Sequence, residues 1–430
     1  MDKHFTYRNG SLYCEDMKVE EIARDVGTPA YIYSKQSILD HYHELEDAFK
    51  KEKPLICFSV KSNSNLSILR LLSEAGSGFD VVSGGELYRA LRAGANPSKV
   101  VFAGVCKSAE EIRDALEHNI FMFNVESREE LDNINKVALG IEKVARVAIR
   151  LNPDVDAETH QKTTTGKKEN KFGIDLKAAR ELFNNGYLRG LRGVHLVAIH
   201  VHIGSPVSSP GPYVDALAKV KEYLSFCREQ GVEIEYVNIG GGYCISYTGE
   251  KVTGPADYAR KILPVLKPLR CKLIMEPGRF IVGDAGILVT RVTYNKETSF
   301  GKRFIICDAG MNDLIRPALY DAFHRIWPVR TSVPMPDVLR PEGPKKTKKM
   351  VQADIVGPVC ESSDCLARDR VIPEVKDGEY LAVFNAGAYG SAMSSNYNSR
   401  LQPCGVLVTG NSCRVIRRRN TYEDLVACET

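Results

Sequence analysis

No CxxC pair occurs among the twelve cysteines of this 430-residue chain, and the nearest neighbours, Cys360 and Cys365, have no His/Cys set at zinc spacing beside them. That absence excludes a disulfide frame or a metal centre as the organising principle, and it predicts reduced thiols, most of them inert core residues. No stretch reaches about 18 uncharged apolar residues, and Met1 through Asp16 hold no apolar h-region, so neither a membrane span nor export is expected. The cytoplasm is the expected compartment. An excess of one charge is missing too: 58 basic residues face 54 acidic ones, a net charge of +4 too even for a nucleic-acid field. The local basic runs, Lys345, Lys346, Lys348 and Lys349 and then Arg417, Arg418 and Arg419, read as a solvated loop and a strand end. With 43% hydrophobic and 26% charged residues the chain sits in the ordinary globular range, which excludes collagen, coiled-coil rods and wholesale disorder. Its length suggests two or three domains.

What is present is a series of short apolar runs ending in polar residues, at 55–60, 79–82, 100–103, 120–125, 144–151, 196–201, 234–239 and 272–275. Between them, segments such as 66–74, 85–93, 109–118 and 128–137 carry helix formers at amphipathic spacing. A strand-helix unit repeated eight times predicts an α/β fold with a closed (β/α)8, TIM-type barrel rather than an open doubly wound sheet. Nearly every run ends in residue types that bind or react: Lys61; Asp80 with Ser83; Asn124 with Glu126; Arg150 with Asn152; His200 with His202; Gly240, Gly241 and Gly242; Glu276 with Arg279. A parallel barrel gathers its strand C-termini at one mouth, so these residues are expected to converge. Any one of them is explained by a strand ending at the surface; the series is not.

After about residue 280 the texture becomes β-branched alternation without helices, at 286–294, 303–307, 350–356, 380–384 and 406–409. This predicts a β-rich domain. Residues 5–13 hold Asn9-Gly10 between short apolar arms, a two-residue hairpin signal resembling that domain, so the N-terminal segment is expected to pair with it. The expected division is therefore 30–278 for the barrel and 1–29 plus 279–430 for the β-domain. Two long loops, 153–171 and 334–349, stand out, and the first, leaving the barrel mouth, is expected to be a lid.

Lys61 alone could be a surface charge, a phosphate partner or an imine-forming amine. Gly240 to Gly242 offer backbone amides that could cradle a phosphate, though tight turns also need glycine. Glu276 and Arg279 end the eighth strand, and barrels often bind phosphate around their seventh and eighth strands. Lysine, cradle and acid together suggest pyridoxal 5′-phosphate, with the lysine as Schiff-base partner and the acid keeping the pyridine nitrogen protonated.

The segments "FSVKSN", "HVHIGS", "NIGGGY", "MEPGR", "CES" and "NAGAYGSAMSSNYNSR" occur in the order and spacing of the alanine-racemase-like (fold-type III) pyridoxal-phosphate decarboxylases, which the chain resembles from about Thr28 to Val408. "KFG" at Lys171 to Gly173, together with the long motif ending at Arg400, is closer to the branch acting on meso-2,6-diaminopimelate than to ornithine or arginine decarboxylases. The resemblance implies catalytic roles for Lys61, His200 and Cys360: Schiff-base lysine, ring-stacking histidine and proton donor. It implies that Ser205, Gly240, Gly241, Gly242, Gly278 and Arg279 surround the phosphate, that Glu276 pairs with the pyridinium, and that Asp80 belongs to the cofactor pocket. Arg316 and Tyr320 would hold the substrate's distal carboxylate, Glu361 its distal ammonium, Tyr389 both phosphate and substrate, and Arg279 would also reach substrate. The implied reaction removes the D-centre carboxylate of meso-2,6-diaminopimelate to give L-lysine and carbon dioxide, in a homodimer with shared active sites and without a metal.

Two departures stand out. Pro206 follows Ser205 where the family usually has Gln, removing a side-chain amide and a backbone N–H. Cys404 and Gly405 stand where a charged or small pair is more usual. Rival readings are a same-fold decarboxylase for carboxynorspermidine, arginine or ornithine, a racemase, which Glu276 disfavours, and a non-catalytic regulator, which has no need of Lys61, Glu276 and Cys360 together.

Overall fold

A computed structural model of the chain describes residues 2–156, 171–341, 343–344 and 347–430. Most of the expected lid, residues 157–170, lies outside the described residues, as do Lys345 and Lys346. The chain forms two compact units, one of Tyr42–Cys244 with Val252–Phe280, the other of Met1–His41, Ile245–Lys251 and Ile281–Thr430.

The first unit is an eight-stranded parallel barrel. Its strands are β1 (Leu55–Ser59), β2 (Gly78–Val81), β3 (Val100–Phe102), β4 (Met122–Val125), β5 (Ala145–Asn152), β6 (Val194–Val201), β7 (Tyr236–Asn238) and β8 (Lys272–Met275). Each pairs with the next in sequence, and β8 closes on β1 through Ile274 opposite Leu55 and Met275 opposite Ile56. The eight apolar runs are these eight strands, because a strand covered on both faces needs apolar residues at every position rather than at alternate ones. Cys57, Val101, Met122, Ala148, Val197, Ala198 and Ile274 pack together as one buried cluster.

Three of the strand-to-helix turns are set by serine. Ser83, Ser108 and Ser127 each accept a hydrogen bond from a backbone N–H in the first turn of the following helix, and at Ser108 the Glu111 side chain completes a capping box. Those helices then bury one face, Leu87 with Ala90, Ile112 with Ala115, and Leu131 with Ile134 and Ala138. At Ser83 and Ser127, two residues past their strands, the cap starts the helix at once and keeps the turn at the mouth short; Ser108 caps its helix six residues past β3.

The second unit is built on the 12-residue strand Gly286–Glu297. Its first part pairs with Ala30–Ser34 and Tyr380–Val383, its last part with Arg303–Cys307, which leads on to Met350–Val356 and Cys365–Pro373. Ala30–Ser34 also runs parallel to Cys404–Thr409. The N-terminal hairpin forms as its turn chemistry dictates: Phe5–Arg8 pairs with Ser11–Cys14, and Asn9 and Gly10 both take positive φ, 50° and 78°. Leu12 then donates to the Val329 carbonyl at 2.8 Å, tying the hairpin to this unit.

Candidate active site

Lys61 follows β1 in a single 3-10 turn, Val60–Ser62, and its Nζ lies 2.7 Å from Oδ2 of Asp80 on β2. Asp80 is fully buried and also accepts from the Ser59 hydroxyl at 2.7 Å, while its Oδ1 meets no hydrogen-bond partner among the described residues. Burial pushes the Asp80 carboxyl above its ordinary range against the pull of Lys61. The pair leaves an amine beside a desolvated acid that can keep the amine charged or take up its proton.

Glu276, just past β8, is the second buried acid. Its Oε1 accepts from the amides of Asn124 at 2.8 Å and Asn238 at 2.6 Å, and its Oε2 lies 3.2 Å from Nε2 of His200. Burial alone would raise its pKa, but His200, Lys61 and the Asn238 amide outweigh it and hold the carboxyl well below the usual carboxylate range. The three partners orient the carboxylate and favour its ionised form. His200 is 1% exposed, and its Nδ1 has no hydrogen-bond partner among the described residues.

The glycine run is held from three directions. Gly240 donates to Asn238 Oδ1 at 2.9 Å, Gly241 donates to His202 Nδ1 at 3.3 Å, and the Gly241 carbonyl accepts from the Tyr213 hydroxyl at 2.6 Å. A Cβ on Gly241 would stand 2.2 Å from the Glu276 carbonyl oxygen, and one on Gly242, where φ is +114°, 2.6 Å from that of Gly204. Glycine is required here by close approach of backbone to backbone. His202 is kept neutral by burial, with Arg150 and Lys61 adding to the downward shift, so its ring nitrogen can accept from Gly241. Arg279, 6% exposed, reaches Ser205 Oγ through Nε at 3.3 Å, and Gly278 packs against Ser59 and Ser62. Downstream of Pro206, Val207 donates to the Gly242 carbonyl at 2.8 Å, so that loop stays tied to the glycine run.

Lys61, Asp80, His200 and Glu276 are therefore brought together, with Ser205, Gly240, Gly241, Gly242, Gly278 and Arg279 on neighbouring turns of the same barrel. Four further residues complete the arrangement. Asn124 and His202 were visible as polar strand ends without a role; Asn238 was signalled only as an amide interrupting an apolar run, and Tyr213 by nothing local. A buried Arg150–Glu126 pair at 2.5 Å fills the mouth between β4 and β5, with Gly173 donating to Glu126 Oε2 at 2.8 Å.

The other candidates belong to the second unit. Arg316 opens the short helix Arg316–Tyr320 and is 8% exposed, with its guanidinium 5.5 Å from the ring centre of Tyr247 and 5.9 Å from that of Tyr320. Tyr247 carried no sequence signal. Cys360 and Glu361 are exposed on a loop pinned by Asp364, whose carboxylate accepts from Met311 and Val359, each at 2.6 Å. Cys360 donates its backbone N–H to Asn398 at 2.7 Å, and the Ser363 and Tyr397 hydroxyls hold the Glu361 carboxyl below its ordinary pKa. Tyr389 adopts φ +55°, a left-handed conformation uncommon for a side chain of its size.

The barrel's donor set fits pyridoxal phosphate: an amine at a strand end, a constant anion able to face a pyridinium, a histidine with an open ring nitrogen, and a glycine turn where side chains are sterically barred. Comparison with known proteins agrees. The family described as "Pyridoxal-dependent decarboxylase, pyridoxal binding domain" matches residues 35–283. Diaminopimelate decarboxylase of Aquifex aeolicus is 45% identical over 98% of this chain and 96% of its own length, and that of Haemophilus influenzae 43% over 99% of each. Among solved structures, diaminopimelate decarboxylase of Helicobacter pylori complexed with L-lysine superposes with a TM-score of 0.87 at 41% identity, over 95% of this chain and 98% of that one.

Proposed function

The chain belongs to the pyridoxal-dependent decarboxylases, carboxy-lyases that use pyridoxal 5′-phosphate, and from that premise we propose that its substrate is meso-2,6-diaminopimelate and its products L-lysine and carbon dioxide. The observation that carries this reading is the similarity to diaminopimelate decarboxylases over almost the whole length of both chains, at 45% and 43% identity. A buried guanidinium at Arg316, flanked by Tyr247 and Tyr320, supports it, since a planar cation of that kind suits a carboxylate remote from the reacting carbon.

When bound, pyridoxal phosphate supplies an electron sink for the pair left behind as the carboxylate departs. The protein supplies the rest. Lys61 provides the amine that carries the cofactor, and Asp80 at 2.7 Å keeps that amine oriented and exchanges its proton. Glu276, whose ionised form His200, Asn124 and Asn238 favour, would face the pyridine nitrogen and favour its protonated form. His200 would cover one face of the cofactor ring, and the turns bearing Ser205, Gly240, Gly241, Gly242, Gly278 and Arg279 would hold its phosphate. Tyr389 touches phosphate and substrate, Arg279 also reaches substrate, Tyr320 assists Arg316, and Glu361 takes the distal ammonium. As the bond to the leaving carboxylate breaks and carbon dioxide leaves, the thiol of Cys360 delivers a proton to the same carbon, so that an amine is formed.

Cys360 and Glu361 are exposed in the single chain, which supports a homodimer in which they complete the site of a neighbouring copy. All twelve cysteines are free, in keeping with a reducing cytoplasm. Among the described residues no helix is long and apolar enough to cross a membrane. Replacement of Lys61 by Ala tests the centre of this reading. The variant is expected to lose both the visible absorbance of lysine-bound cofactor and all formation of L-lysine; absorbance and turnover retained together would refute it.

A further inference from the structure

Arg370 carries a positive charge into the interior of the β-rich unit. It is 4% exposed, its guanidinium stacks 4.2 Å from the ring centre of Phe323, and Nη1 donates to the His324 carbonyl at 3.0 Å. Its Nε is buried without a hydrogen-bond partner, and no described carboxylate forms an ion pair with it. Burial pushes its pKa down to about 10, countered only by the Cys365 thiol. A desolvated cation lacking a counter-ion is costly, and that cost is recovered when an anion approaches.

The surroundings are shaped for such an approach. Arg370 lines a cleft of about 270 Å³ together with Arg368, two residues earlier on the strand Cys365–Pro373. Between them the ladder is bulged: Arg370 faces Ala353 and Ala367 faces Ile355, leaving Arg368 and Asp369 opposite the single residue Asp354. Asp369 takes φ +46° and pairs with Lys302 at 2.9 Å, so the bulge draws the intervening acid away while two arginines remain at the cleft. Among the described residues the acid on the cleft wall is Asp321, exposed at the end of the helix Arg316–Tyr320 and in no ion pair with either arginine.

We propose that this cleft binds a small oxyanion, a carboxylate or a phosphate, between Arg368 and Arg370. Two of its walls give the occupant a lever. Pro317 and Ala318 line it directly after Arg316, and Ser363 lines it two residues after Glu361. An anion seated there braces both segments to which the preceding section assigns the distal end of the substrate. That coupling rests on the decarboxylase reading; the binding itself does not.

Calorimetric titration of the holoenzyme, its cofactor in place, with inorganic phosphate and separately with acetate at low ionic strength tests the site. The expected result is saturable binding of one anion per chain at this cleft, apart from any acetate held at Arg316, with the tighter of the two probes identifying the source and an affinity that falls with added salt. Arg368→Gln, at an exposed position that leaves the fold intact, is expected to weaken binding about tenfold, and Arg316→Gln to leave it unchanged. Absence of saturable binding in the unmodified protein, full affinity in Arg368→Gln, or loss in Arg316→Gln instead would each overturn the proposal. Because no amino-acid substrate is present, a failed decarboxylation assay would count against the earlier reading and leave this result standing.

Discussion

At the residue scale the barrel mouth is a set of ionisable groups whose neighbours push them apart. Asp80 and Glu276 are both buried acids, yet one is raised and the other lowered, because only Glu276 is ringed by two amides and an imidazole. Glu86, in the first turn of the helix after β2, is a third case: burial pushes it up to about 7, with the Asp80 charge adding and the Val82 N–H opposing. A folded-state pKa above the ordinary 4.5 means the folded chain holds the proton more tightly, so stability falls as pH rises from about 4.5 to about 7 and stays lower beyond. Glu86→Gln removes that loss. Its stability is expected to gain on that of the unmodified protein between pH 5 and pH 8 by on the order of 1 kcal/mol once partial exposure is allowed for, read as a difference in melting temperature that widens with pH. A gap that is the same at both pH values would contradict this.

At the element scale the glycine turn at 240–242, proposed to bind the phosphate, is an assembly of parts from distant segments. Asn238 ends β7, His202 follows β6, and Tyr213 comes from the helix Gly211–Glu229, which stacks its ring against Tyr243 with centroids 5.8 Å apart. Burial keeps the Tyr213 hydroxyl protonated, so it is a constant donor to Gly241. Tyr213→Phe is therefore expected to weaken pyridoxal 5′-phosphate binding to the apoenzyme about tenfold while leaving pyridoxal, which lacks the phosphate, unaffected. Equal loss for both ligands would mean the tyrosine acts through the fold at large. The barrel strands and the Asn9-Gly10 hairpin were legible because their determinants are local: continuous apolar runs, serine caps, a turn that demands positive φ. The strand Cys365–Pro373 was not, since its sequence, CLARDRVIP, breaks alternation at the bulge. Ala30–Ser34 escaped notice because its partners lie some 250 and 370 residues away in sequence. Tyr213 and Tyr247 were invisible for the same reason: their meaning lies in what they touch after folding.

At the scale of the whole molecule, the candidate residues are divided between a barrel that carries those proposed to hold the cofactor and a β-rich unit that carries Cys360 and Arg316, proposed as proton donor and distal-carboxylate partner. In the proposed homodimer the Cys360 and Glu361 segment of one copy completes the site of the other. Mixing Lys61→Ala protein with Cys360→Ala protein, each inactive alone, is then expected to restore about a quarter of full activity through hybrid dimers that retain one intact site. Mixtures as silent as their parents, despite shown exchange of subunits, would place both residues in a single copy's site. The most direct test of the account is release of carbon dioxide by the holoenzyme from meso-, LL- and DD-diaminopimelate, arginine, ornithine and carboxynorspermidine, each alone. The account predicts release from the meso isomer only; release from ornithine, arginine or carboxynorspermidine, or silence across all six with cofactor bound, would contradict it.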